Sequence, residues 1–97
     1  MFDRDKSKVN PVDKFIAREQ ENHMTVVERH TGGDNVRLML DDPILQMHAK
    51  FKSSSIKKAE TLVIMGTVFG FQGKDFCKFT LFDAKGRILE SVKSEGY

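Results

Sequence analysis

Apolar residues fall at helical spacing near the start of the chain and at strand-like spacing further on. Val12, Phe15 and Ile16 share one helical face by their i, i+3, i+4 positions, and Lys14, Arg18, Glu19 and Glu21 occupy the other faces. Asn10 suits an N-cap, Pro11 the first helical position and Asp13 the first turn. The pattern predicts a helix from Pro11 to about Asn22, lying across one side of a sheet. From Met24 the β-branched Thr25, Val26 and Val27 favour extended chain. Thr31-Gly32-Gly33-Asp34-Asn35 is a turn signal. Val36, Leu38 and Leu40 then alternate with Arg37 and Met39, which predicts a second strand and a hairpin.

Two templates fit the segment after Asp41-Asp42-Pro43. Leu45, Met47, Ala49 and Phe51 alternate as in a strand, whereas Ile44, Met47, His48 and Phe51 form a helical stripe. Asp42 before Pro43 is an N-cap and first-turn pair, so a second helix is expected near Pro43 to Lys52. Lys50 to Lys58 reads as a basic, serine-rich connector.

The rest of the chain is organised around the apolar run Leu62 to Phe71. Turn-like stretches at Gln72-Gly73-Lys74-Asp75 and Asp83-Ala84-Lys85-Gly86 fold the C-terminal third into a three-stranded antiparallel meander. With Gly73-Lys74 as a two-residue loop, Gly66 stands opposite Leu81, Val68 opposite Phe79 and Met65 opposite Phe82. One face then carries Met65, Thr67, Phe69, Phe71, Phe76, Lys78, Thr80 and Phe82. The other carries Ile64, Gly66, Val68, Gly70, Cys77, Phe79 and Leu81. Asp83 to Gly86 reads as a type I turn with Gly86 left-handed, and the last strand adds Leu89 to the second face and Ile88 and Val92 to the first. Both faces of the first long strand are apolar, so both are expected to be covered, the Phe69 and Phe71 face by helices of the same chain. The fold expected is α+β: an N-terminal helix followed by a mainly antiparallel sheet ending in the meander. The alternative is a six-stranded all-β barrel.

A length of 97 residues with 39% hydrophobic content allows one domain with one modest core. Residues 1–9 lack any apolar period and read as a flexible tail before a single domain over 10–97. The net charge of +2 gives no whole-molecule attraction to nucleic acid or to an acidic membrane. Cys77 is the only cysteine, which excludes an intrachain disulfide and fits a reducing compartment. Neither a secretory signal nor a run of membrane-spanning length is evident, so a cytoplasmic location without membrane association is expected.

One set of residues has the chemistry of a binding face: Phe69, Phe71, Phe76 and Phe82 with Lys74 and Lys78. Phenylalanines beside lysines are what a single nucleic-acid strand needs, a stacking surface for bases and cations for phosphates. Phe69-Gly70-Phe71 resembles the aromatic centre of the ribonucleoprotein motif of RNA-recognition domains. Thr67 and Val68, however, stand where that motif has a basic residue and a glycine, and Lys74 stands where it has an aromatic. The same phenylalanines also suit an ordinary core. Lys50, Lys52, Lys57 and Lys58 form a basic loop without a Gly-rich phosphate motif. His23, His30 and His48 make no ligand pair at i, i+4, and Cys77 falls on an inward face beside Phe79. His30 and Glu28 share a strand face but are accompanied by no nucleophile motif. These readings predict a non-catalytic protein-binding or assembly module that needs no cofactor or metal. It would self-associate through a sheet face or edge, and single-stranded nucleic-acid binding is the alternative.

Overall fold

The computed structural model describes residues 10–67 and 76–95, with the backbone alone for Glu95. Helix α1 spans Pro11–Glu21 and β1 spans Met24–Thr31. Three short helices follow, α2 (Gly33–Leu40), α3 (Pro43–Gln46) and α4 (Ser53–Lys58). The strands β2 (Thr61–Thr67), β3 (Phe76–Phe82) and β4 (Ile88–Glu95) come next. The sheet is antiparallel with strand order β1-β2-β3-β4. The α+β class and the C-terminal meander are therefore present. The sheet is open, which sets aside the six-stranded barrel.

Helix α1 begins where its cap predicts. The Asn10 side chain accepts from Val12 N–H at 2.8 Å, and Pro11 takes the first turn. The helix ends as the chain turns through His23, whose φ of 68° lies in the left-handed region. Its buried Val12 and Ile16 pack with Met24, Val63, Met65 and Phe82, so α1 covers one face of the sheet.

The opposite face packs a larger cluster. Leu62, Ile64, Phe79 and Leu81 meet Val36, Leu40, Leu45, Ala49 and Ala59 from the segment between β1 and β2. Here the expected hairpin strand over Val36 to Leu40 is overturned: these residues form α2, with Val36 and Leu40 buried at i, i+4 and Leu38 73% exposed. Gly32, at φ 97°, redirects the chain, donates to Glu60 O and accepts from Val36 N–H, which starts a helix where a hairpin turn was expected. The second expected helix is real but ends at Gln46; Asp42 caps it by accepting from Ile44 N–H at 2.9 Å. Its buried residue is Leu45, and Ile44 and Met47 of the expected stripe face outward. The serine-rich connector contains α4.

The meander keeps the predicted division of faces but not the predicted register. Gly66 pairs with Cys77, Ile64 with Phe79 and Leu62 with Leu81, a slip of four residues from the two-residue loop. An even slip leaves every side chain on its face, which is why the face assignment survived. Residues 68–75, with the expected Gly73-Lys74 turn, lie outside the described residues. Gly86 adopts φ 81° and donates to Asp83 O at 3.0 Å, as the type I turn requires. An irregularity at Leu81/Phe82 brings Val92 opposite Phe79, so Val92 joins the second face with Leu89 rather than the first.

Candidate interaction surfaces

The aromatic face is occupied where it is described. Phe82 is 1% exposed and meets the Phe15 ring of α1 edge-on, with centroids 5.2 Å apart. Lys78 reaches up to α1, pairing with Glu19 at 3.3 Å and lying over the Phe15 ring. Phe76 is half-buried beneath Lys93, whose ammonium stands 5.2 Å from the ring centroid. Helix α1 thus covers Phe82 and engages Lys78, and Phe76 stays partly exposed. Phe69, Phe71 and Lys74 lie outside the described residues.

With both faces covered, the edges of the sheet become the accessible backbone. The β1 edge is interrupted by a bulge between Val26 and Glu28. Its charges are satisfied internally: Arg29 donates to Asp13 of α1 at 2.7 Å, and His30 Nε2 lies 2.8 Å from Glu28. A bulge and committed charges blunt an edge. The β4 edge runs for eight residues, and among the described residues no strand pairs with its outer side. Its side chains are held from within: Ser91 bonds Thr80 at 3.2 Å, Ser94 lies 3.3 Å from His48 Nδ1, and Glu90 accepts from Lys52 N–H at 3.1 Å.

The basic loop has a more specific setting than its sequence suggests. Lys57 and Lys58 end α4, where their charge complements the helix C-terminus, and Lys52 precedes its first residue. Lys50 lines a cavity of about 180 Å³ together with Leu40, Gln46, Ala49, Phe51 and Ile56. Outside it, Ile44 is 64% and Met47 80% exposed. The sequence pattern missed this surface because Ile44 and Met47 were placed on a buried stripe; their spacing is helical, but the helix turns the other way.

The remaining chemistry is sparse. Burial raises the Cys77 thiol above its ordinary pKa, which suppresses the reactive thiolate. His30 and Glu28 do form the pair their strand spacing allows. Among the described residues no three of His, Cys, Asp and Glu come together as metal ligands, and no helix is long and apolar enough to cross a membrane.

Among the described residues, a four-stranded open antiparallel sheet with one helix on one face and three short helices on the other defines the class of the fold. Comparison with protein-family models, with curated proteins and with solved structures gave no match.

Proposed function

We propose that the protein is a non-catalytic assembly module that pairs with a second copy of itself along the outer edge of β4. The observation that supports this reading is a difference between the two edges: the β1 bulge falls in mid-strand between Val26 and Glu28, whereas the β4 irregularity falls near its start at Leu89 and leaves Glu90 to Glu95 in regular register with an outer side unpaired among the described residues. Strand addition satisfies backbone donors and acceptors that water would otherwise hold, and it requires no free sheet face.

A two-fold axis perpendicular to the sheet through Val92 gives a register without like charges opposed. Ser91 then faces the partner's Lys93, Glu90 faces the partner's Ser94, and the half-buried Val92 meets its own counterpart. The result is a continuous eight-stranded sheet with α1 of both copies on the same face.

Mass measurement by sedimentation across the micromolar range tests the proposal. A dimer is expected. Ser91→Lys sets lysine against lysine twice across the axis and should disperse the dimer, and adding Lys93→Glu should restore it. A wild-type monomer at every concentration, or a dimer indifferent to Ser91→Lys, would overturn the reading.

A further inference from the structure

We infer that the cavity beneath α2 and α3 is a docking site for an acidic peptide segment of another protein, which inserts one bulky aliphatic side chain into it. The residues lining this cavity lie between β1 and β2 and include none of β4.

Three observations converge on that occupant. Leu40, Ala49, Phe51 and Ile56 give the cavity its apolar lining, and its polar lining comes with Lys50 and Gln46, whose amide is already committed to Leu40 O at 2.9 Å. Its volume, about 180 Å³, suits one or two aliphatic side chains rather than a whole cofactor, since small-molecule sites usually start near 300 Å³. The apolar surface also continues outside it. Pro43 and Met47 border the adjoining depression with Gln46 and Lys50, and Met47 is 80% exposed. A chain molecule can fill the hole and cover this rim at once.

The charge around the site selects the sign of the partner. From Pro43 to Ala59 the chain carries Lys50, Lys52, Lys57 and Lys58 and no acidic side chain. None of the four makes an ion pair among the described residues. Asp41 and Asp42 precede the segment, with Asp42 held by Ile44 N–H, and Glu90 reaches it from β4 and is held by Lys52 N–H. A socket with apolar side chains and the unpaired Lys50 in its lining, on a segment that carries three further lysines, favours an aliphatic anchor flanked by Asp or Glu, with the anchor supplying affinity and the carboxylates orientation and on-rate.

Panning the full-length protein against a displayed library of random short peptides tests the inference. Sequences with a Leu, Ile or Met flanked by acidic residues should be enriched. The synthetic peptide of the enriched sequence should shift the amide resonances of Ala49, Phe51 and Ile56 on titration. Lys50→Glu should weaken its binding about tenfold or more, and Met47→Glu likewise, because both side chains are exposed and their replacement leaves the core intact. Decanoate, a small amphipathic anion, serves as competitor. The inference is overturned if no peptide is enriched, if enriched peptides are neutral or basic, if Lys50→Glu leaves affinity unchanged, or if decanoate fills the cavity while peptides shift no resonance there. Ser91→Lys should leave peptide binding intact, so failure at this site and failure at the β4 edge are told apart.

Discussion

The two faces of β2 are buried by opposite means. On one side a single eleven-residue helix, α1, lays Val12 and Ile16 across Val63, Met65 and Phe82. On the other, helices of eight, four and six residues each contribute a few anchors to a larger cluster around Leu62, Ile64, Phe79 and Leu81. No helix that short is stable alone, so α2, α3 and α4 owe their existence to the sheet they cover. Helix α1 carries its own cap and its own stripe. The face built from weaker parts is nonetheless the one with more buried apolar residues, and it should be the harder face to detach.

Matched truncations break or support this ranking most directly. Phe79→Ala should cost about 3–5 kcal/mol, a large part of what a domain of this size has, and leave little folded protein at ambient temperature. Phe82→Ala removes the ring that Phe15 meets edge-on, and should cost less because α1 can settle towards the sheet. Urea unfolding of both variants gives the comparison. An equal or greater loss for Phe82→Ala would mean that α1 is the principal support of the fold.

The same contrast decides what could be read from the chain. Around α1 the cap, the proline and the apolar stripe all lie within a dozen residues, so local spacing located the helix almost to its ends. The faces of β2 and β3 were equally legible, because a period of two survives an even error in register. The opposite layer was not. Val36, Leu38 and Leu40 satisfy an alternating pattern as well as a helical one, and only the burial of Val36 and Leu40 with exposure of Leu38 distinguishes them. Likewise Ile44 and Met47 looked like core, because nothing local says which side of a four-residue helix meets the sheet. That ambiguity hid the docking surface, whose exposed apolar residues are the ones the pattern had assigned inward.

A second test probes how tightly the α1 layer is seated. Gly86 holds a φ of 81° in the β3–β4 turn, and a Cβ added there would stand 2.9 Å from Pro11 Cβ at the start of α1. Gly86→Ala should cost about 1–2 kcal/mol from the left-handed conformation alone, and more from the contact. Gly86→Asn separates the two contributions, since asparagine tolerates the angle but still carries a Cβ. If Gly86→Asn restores full stability in thermal melts, the turn and α1 are only loosely apposed.

The smallest effect is a pH dependence, and it belongs to the same end of the molecule. Asp83 Oδ1 accepts from the backbone N–H groups of Arg87 and Lys85, each at 2.9 Å, and Oδ2 accepts from Arg87 Nε at 3.0 Å. The Arg87 backbone hydrogen bond is the main cause of a carboxyl pKa below its ordinary 3.8, with the Arg87 side chain adding to it. A carboxyl whose pKa is lower folded than unfolded stabilises the fold above its unfolded value, and that contribution disappears as pH falls through the folded value. Acid should therefore loosen the β3–β4 turn, and with it the Gly86 contact to α1, before it disturbs the cluster around Phe79. Amide exchange at Arg87, followed from neutral pH down through the carboxylate range, should show this loss of protection. Asp83→Asn should flatten the dependence, because the amide keeps an acceptor but cannot titrate. Added salt should weaken only the part owed to the Arg87 guanidinium, since the backbone hydrogen bonds are short-range. If Arg87 stays protected to acid pH in the wild type, the turn is held by its backbone geometry and the α1 face is more firmly closed than the comparison of the two layers implies.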